Sequence, residues 1–229
     1  MKKLRTSFSY KHLLALGFTT VFLNPAFAND NLQKLTQDDS QWVHPRKDYA
    51  NTGYSSLSQI KPNNINKLAL AWTFSTGVNR GHEGSPIVLG NVMYVHTAFP
   101  NNIYALDLNN NQKILWSYFP KQDPQTQALL CCDTVNRGLA YGDSKIFLQQ
   151  NDGVLVALDA KSGQPIWQTK VNDIKTGASN TNAPHVMKDK VITGCSGGEY
   201  GVGCFIANQT NVFGKYFLYL AFGQTLRWR

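Results

Sequence analysis

The sequence predicts an all-β protein, an incomplete β-propeller, from an internal repeat and from the lack of any sustained helical period after residue 28. The segment Val156–Trp167 matches the earlier segment Ile103–Trp116 at a period of about 50 residues. About four short strands per repeat, the last two joined in a hairpin, are typical of a propeller blade. A β-sandwich is the alternative, because strand spacing alone does not separate the two architectures.

Each repeat predicts a hairpin that carries a tryptophan on its second strand. Alternating β-formers run into Asp107 or Asp159, and Gly163 can take the positive φ that the later turn requires. We expect Trp72, Trp116 and Trp167, which follow turns at matching positions, to cover seams between sheets. Further strands are predicted over residues 68–74, 86–89, 92–96, 138–141, 145–149 and 190–193.

Residues 1–28 are predicted to be a signal peptide, which implies a periplasmic protein. The apolar run 13–23 is followed by the small-x-small sequence Ala26-Phe27-Ala28, so the mature chain is expected to start near Asn29. This run is far shorter than the ~20 residues of a spanning helix, so no transmembrane segment is expected. Four basic residues precede the run: Lys2, Lys3, Arg5 and Lys11.

Charge does not indicate a nucleic-acid partner. The formal net charge is +8, but four of the positive charges belong to the predicted signal peptide. The other lysines and arginines are scattered among Asp, Asn and Gln, which indicates a solvated surface.

Two adjacent cysteines, Cys131 and Cys132, are the most unusual local feature of the chain. A bond between them would close an eight-membered ring with Cα atoms about 3.8 Å apart, which is within reach of a disulfide. Two separate buried thiols are the alternative. An exported protein keeps disulfides, so the bond is plausible in the expected compartment.

Five motifs in order resemble the N-terminal part of the large subunit of methanol dehydrogenases that depend on pyrroloquinoline quinone (PQQ), within the quinoprotein alcohol dehydrogenase family. The resemblance covers about residues 41–202, and the combination is more specific than any single motif. The motifs are Arg80-Gly81-His82-Glu83-Gly84, Phe99-Pro100-Asn101-Asn102, Cys131-Cys132-Asp133 with Asn136-Arg137-Gly138, Thr181-Asn182-Ala183-Pro184 and Ser196-Gly197-Gly198-Glu199.

The resemblance implies an eight-bladed propeller that holds PQQ on its axis above a cation, either Ca²⁺ or a lanthanide. It also implies that Glu199 ligates the cation and that a Cys131–Cys132 disulfide lies against one face of the quinone. An arginine fork suits carboxylates, and a hard cation suits carboxylate oxygen. The implied PQQ-binding residues are Glu83, Cys131, Cys132, Arg137, Thr181, Ser196, Gly197 and Gly198.

The implied activity is the oxidation of a primary alcohol to an aldehyde by hydride transfer to PQQ, with a periplasmic cytochrome c as electron acceptor and an oligomer possible. The cation would act as a Lewis acid on the quinone carbonyl. The family's catalytic aspartate falls beyond this chain, so we expect the chain alone to be inactive. A non-catalytic periplasmic propeller scaffold and a carbohydrate- or peptide-binding sandwich are the alternative functions.

The resemblance and the repeat end together near residue 202. We expect a partial propeller over residues 29–202 and an atypical tail over 203–229, where the next Trp hairpin is missing. A frame-shifted coding region is our hypothesis for the tail. His44, His82, His96 and His185 are not spaced as a metal site, so structural roles are expected for them.

Overall fold

A computed structural model describes residues 30–130, 133–198, 201–202, 205–210 and 217–221. The predicted signal peptide, Cys131, Cys132 and Glu199 lie outside these residues. The predictions made for them therefore stay predictions.

Within these described residues, twelve strands form three antiparallel sheets of four strands, and each sheet is built from consecutive strands. The order is β1-β2-β3-β4 in sheet 1, β5-β6-β7-β8 in sheet 2 and β9-β10-β11-β12 in sheet 3. The strands are β1 (Ile87–Leu89), β2 (Val92–His96), β3 (Ile103–Asp107), β4 (Lys113–Tyr118), β5 (Leu139–Gly142), β6 (Lys145–Gln149), β7 (Val154–Asp159), β8 (Pro165–Lys170), β9 (His185–Met187), β10 (Lys190–Gly194), β11 (Phe205–Thr210) and β12 (Phe217–Ala221).

The first strands of the three sheets lie side by side. β5 contacts both β1 and β9, and Ser85 and Gly138, which precede β1 and β5, form a parallel bridge. Sheets that meet along their first strands are arranged as propeller blades. The predicted incomplete propeller is therefore confirmed, and the sandwich alternative does not fit this arrangement.

The two repeat hairpins have the same local structure. Asp107 Oδ1 accepts a hydrogen bond from Asn109 N at 3.0 Å, and Asp159 Oδ1 accepts one from Ser162 N at 2.7 Å. Both hairpins shift register after the alanine that pairs with the tryptophan, between Ala105 and Leu106 and between Ala157 and Leu158. Gly163 has φ +72°, as the turn prediction required.

Trp116 lies in the seam between sheets 1 and 2, as predicted. Its Nε1 donates to Ala160 O at 3.0 Å in the hairpin turn of sheet 2. A Cβ added at Gly163 would lie 2.4 Å from the Trp116 ring, so the ring needs a glycine opposite it. Tyr94 OH also donates to Ala160 O, at 3.1 Å. These contacts join the two sheets through one turn.

The prediction for residues 68–74 is wrong: this segment forms no strand with any residue that the structure describes. Leu68, Leu70 and Trp72 are 60%, 80% and 37% exposed, so Trp72 covers no seam. The pattern of β-forming residues is present, but a strand exists only where a second strand accepts its hydrogen bonds.

One helix, α1 (Asp30–Gln37), was not predicted. Leu32 of this helix is buried in the hydrophobic core and Leu35 packs against that core. Two turns are too short to show a sustained helical period, so no pattern in the sequence indicated this helix. No helix in the described part of the chain has the length and apolar character needed to cross a membrane.

The backbone of the predicted tail takes part in sheet 3. β11 pairs with β10 over Lys190–Gly194, and β12 pairs with β11. The absence of a recognisable repeat in the sequence after residue 202 thus does not prevent strand pairing, because ladder hydrogen bonds use backbone groups alone.

We predict that Trp116→Ala lowers the free energy of unfolding by about 3–5 kcal/mol, because it leaves a cavity in the seam and removes a buried hydrogen bond. Urea unfolding followed by far-ultraviolet circular dichroism measures the loss. Trp72→Ala is the matched control and should change the free energy by less than about 1 kcal/mol. Equal losses in the two variants would contradict the assigned role of Trp116.

Candidate cofactor-binding site

Three of the predicted site residues lie in equivalent places, just before the first strand of each sheet. Glu83 precedes β1, Arg137 precedes β5 and Thr181 precedes β9. Because these first strands lie side by side and start at the same end, their approach segments converge there. The repeat thus brings together residues that are far apart in the sequence.

Arg137 contacts both of the other two residues. Its Nη2 lies 3.2 Å from Glu83 Oε2, and its Nη1 donates to Thr181 Oγ1 at 2.7 Å. The backbone N–H of Arg137 also donates to Thr181 O, at 3.0 Å. One side chain and one peptide group therefore connect the approach segments of all three sheets.

The Glu83–Arg137 ion pair is half exposed, with 47% and 48% of the two side chains accessible. An ion pair that is this exposed to solvent contributes only about 0–1 kcal/mol to the free energy of unfolding. Its guanidinium remains accessible to a ligand, and an arginine fork binds carboxylates with two parallel hydrogen bonds.

A buried histidine supports the main chain beneath this ion pair. His96 Nε2 lies 3.1 Å from Asn136 O, and burial lowers the pKa of His96 to about 4. The ring is neutral at pH 7, and its Nε2–H donates to the Asn136 carbonyl. A Cβ added at Gly84 would lie 2.3 Å from this ring and 2.8 Å from the Arg137 carbonyl carbon. The absence of a side chain at Gly84 lets the segment that carries Glu83 approach the segment that carries Arg137.

Ser196 and Gly197 lie beside the Thr181 segment, and neither is among the hydrogen-bond or ion-pair partners of Arg137. Ser196 and Ser179 exchange two backbone hydrogen bonds of 2.9 Å, which ties the end of β10 to the approach segment of β9. Gly197 has φ +128°, and a Cβ there would lie 2.3 Å from Gly177 O. Gly198 is exposed and has open space where a Cβ would lie.

An open groove of about 400 Å³ runs beside Thr181 and Ser196, lined by residues of 181–185 and 192–196. Cys195 is in its wall and forms no disulfide with another described residue. His185 is also in the wall, and its Nδ1 lies 3.1 Å from Nε2 of the buried His44. Burial lowers the pKa of both rings. These histidines are consistent with the structural role predicted for them.

No three His, Cys, Asp or Glu side chains converge as a metal site in the part of the chain that the structure describes. Glu199, the predicted cation ligand, falls outside that part, as do Cys131 and Cys132. The described portion of the site is therefore Glu83, Arg137 and Thr181, with Ser196 to Gly198 beside them.

Sequence reasoning missed the residues that support the site from within. His96 was expected to be structural, and its contact with Asn136 was not anticipated. Asn151 was not singled out at all, although it is buried and bonded to the segments that carry Arg137 and Thr181. The only available indication was its place in the loop that corresponds to the Phe99-Pro100-Asn101-Asn102 motif one repeat earlier.

Sheets that meet along their first strands, with charged and hydroxyl groups at the end where those strands begin, define a β-propeller with a ligand site near its axis. Residues 42–201 match the family described as the β-propeller domain of PQQ glucose, ethanol and alcohol dehydrogenases. The chain belongs to this family of quinoprotein dehydrogenases.

Curated relatives and a solved structure agree with this assignment. The chain is 55% identical over 195 residues to a lanthanide-dependent methanol dehydrogenase of Methylorubrum extorquens, covering 85% of this chain and 32% of the relative. It is 48% identical over 208 residues to methanol dehydrogenase (cytochrome c) subunit 1 of Methylobacterium organophilum, covering 88% of this chain and 33% of that relative. A europium-containing methanol dehydrogenase structure matches with a TM-score of 0.81 and 49% identity, covering 83% of this chain and 34% of that one. The chain thus spans about a third of the length of these relatives.

We predict that the stability of the chain falls as the pH drops from 6.5 towards 4, in part because of His96. The pKa of this ring is about 4 in the folded chain and ordinarily 6.5, so between these values the unfolded chain binds a proton that the folded chain does not. The contribution is fully present above pH 6.5, and roughly 2–3 kcal/mol of it is lost by pH 4.5.

Urea unfolding at pH 7.0 and pH 4.5 measures this dependence. His96→Gln, which can still donate to Asn136 O but cannot titrate in this range, should reduce the loss of stability between the two pH values. Asn110→Gln, at an exposed position in the turn after β3, is the control and should keep the full loss. The same pH dependence in His96→Gln as in the unchanged chain would disprove the role given to His96.

Proposed function

We propose that this chain contributes one side of the cofactor site of a periplasmic PQQ-dependent alcohol dehydrogenase that oxidises a primary alcohol to an aldehyde. The observation that carries the proposal is the contact of Arg137 with both Glu83 and Thr181 where the first strands of the sheets begin. The similarity to methanol dehydrogenases supports an alcohol as the substrate.

The described side chains fit PQQ, which is a planar quinone with carboxylate and carbonyl oxygens. Arg137 offers a half-exposed guanidinium, and Thr181 offers a hydroxyl whose own proton is free to donate while its oxygen accepts from Arg137. The backbone at Gly197 and Gly198 lies on the segment tied to the Thr181 approach, and Ser196 Oγ on that segment donates to Ser179 O at 3.3 Å. This set is rich in hydrogen-bond donors, as a ligand with several acceptor oxygens requires.

When bound, PQQ supplies the hydride-accepting chemistry, and the protein supplies orientation and charge. Arg137 would bind and orient an acidic group of the cofactor, and Glu83 would hold the guanidinium in place through the second nitrogen. Thr181 would fix the other edge of the guanidinium. A Cys131–Cys132 disulfide against the quinone face remains part of the proposal and rests on the family resemblance.

The cation is proposed to be held in part by Glu199, since hard cations prefer carboxylate oxygen. Residues 196–198, which lead to Glu199, are tied to the approach segment of β9 by the Ser196–Ser179 bridge. Two relatives are described as lanthanide-dependent methanol dehydrogenases, which supports a lanthanide, and Ca²⁺ is the alternative. A cytochrome c is the proposed electron acceptor, because another relative is named for it.

PQQ binding to the purified chain tests the cofactor assignment. We predict saturable binding by equilibrium dialysis, and Arg137→Gln should weaken it about tenfold or more through the loss of a charge-assisted contact. Lys113→Gln removes a positive charge from an exposed position on β4 and is the matched control, with unchanged affinity expected. No binding by the unchanged chain, or equal affinity in Arg137→Gln at an unchanged unfolding midpoint, would refute the assignment.

Export is tested separately by the mass of the protein recovered from the periplasm of a Gram-negative host. We predict a chain that begins at Asn29, because Ala26 and Ala28 provide the small residues that signal peptidase requires. Replacing both alanines by leucine should leave the chain uncleaved. Recovery of the unchanged chain with residues 1–28 still attached would contradict the predicted signal peptide.

A further inference from the structure

Asn101 and Asn151 occupy corresponding loops of neighbouring sheets and hydrogen-bond to each other. Asn101 lies between β2 and β3, and Asn151 lies between β6 and β7. Asn101 Nδ2 donates to Asn151 Oδ1 at 2.7 Å, and Asn151 N donates to Asn101 Oδ1 at 2.9 Å. Both residues are 0% exposed, so these bonds form away from solvent. The two repeats are therefore joined at the end of the sheets where the site lies.

The side-chain amide nitrogen of Asn151 donates hydrogen bonds to the segments that carry Arg137 and Thr181. Its Nδ2 donates to Val135 O at 3.1 Å and to Asn180 O at 2.7 Å. Val135 is two residues before Arg137, and Asn180 immediately precedes Thr181. Both amide protons and the amide oxygen of Asn151 are thus engaged, so three hydrogen bonds determine the orientation of this side chain.

We propose that Asn151 is a positioning residue that sets the separation of the Arg137 and Thr181 segments and thereby prepares the guanidinium for the cofactor. This inference rests on the proposed function, since it concerns the same site. The guanidinium contact with Thr181 orders the two segments less firmly, because the Arg137 side chain is half exposed and water competes for its hydrogen bonds. Buried hydrogen bonds to two carbonyls hold them more firmly, since an unpaired buried carbonyl is costly.

Amide hydrogen exchange distinguishes a change in the separation of the Arg137 and Thr181 segments from a general loss of stability. The backbone N–H of Arg137 donates to Thr181 O at 3.0 Å, so its exchange rate reports how often the two segments separate. Amides of the central strand β6, such as that of Phe147, report the opening of sheet 2 instead. A residue with a purely structural role would affect both groups alike.

Asn151→Ser is the test variant, because serine is neutral and too short to reach both carbonyls. Exchange at the Arg137 amide should be at least about tenfold faster, while exchange at Phe147 stays within about twofold. Asn172→Ser is the matched control: the Asn172 amide is buried but makes no hydrogen bond in the described part of the structure. It should leave both rates unchanged. Should Asn151→Ser fail to fold, Asn101→Ser, which removes the support of Asn151 together with a hydrogen bond from Gln122 Nε2, should show the same selectivity to a smaller degree.

PQQ affinity provides the second measurement. Asn151→Ser should bind PQQ about tenfold more weakly, and the double variant with Arg137→Gln should bind no more weakly than Arg137→Gln alone, because Asn151 acts through Arg137. Equal acceleration of exchange at Arg137 and Phe147, or unchanged exchange at Arg137, would overturn the proposal. Full additivity of the two substitutions would also overturn it. Failure of the unchanged chain to bind PQQ would refute the proposed function, whereas the exchange rates would still decide whether Asn151 sets the separation of the segments.

Discussion

The packing of one sheet against the next is the constraint on which this structure depends. Sheet 2 lies between the other two sheets, and nearly every residue of β5, β6 and β7 is buried. In β10 of sheet 3, buried and partly buried residues alternate instead, as in a sheet with one covered face. A blade therefore gains its full apolar burial only from two neighbours, and Trp116 above Gly163 is the contact that joins the first pair.

The site follows from this packing because the repeat places equivalent segments at the same end of adjacent sheets. Glu83, Arg137 and Thr181 each precede a first strand, so their proximity results from side-by-side blades and not from sequence neighbourhood. The charged groups remain half exposed, whereas the support beneath them is neutral and buried. His96 and Asn151 meet this requirement because a neutral imidazole and an amide can satisfy buried carbonyls without the cost of burying a charge.

Similarity to methanol dehydrogenases and the geometry of Arg137 support the same proposal from independent directions. The matched family supplies the cofactor class through its description, and the structure supplies a donor-rich site of suitable chemistry. The contribution of this chain is an arrangement of approach segments that would orient an acidic, planar ligand. Such orientation is effective only when the side chains are already held by their own neighbours, which is the role that the buried amides suit.

The sequence by itself determined the hairpins and most strand positions, and its motifs included the three residues that converge where the first strands begin. These features depend on local information: β-forming residues, turn residues at fixed offsets and motifs in a recognisable order. β2 and β6 begin and end at the predicted residues, and the Asp107 and Asp159 turns form as expected.

Tertiary structure alone decided which patterns became structure and which side chains support the site. Residues 68–74 look like a strand but have no described partner, and α1 forms because Leu32 finds a place in the core. Asn151 acquires its importance from carbonyls that are 16 and 29 residues away in the sequence. A strand or a buried amide depends on groups contributed from elsewhere in the chain, and a local pattern does not show where those groups will lie.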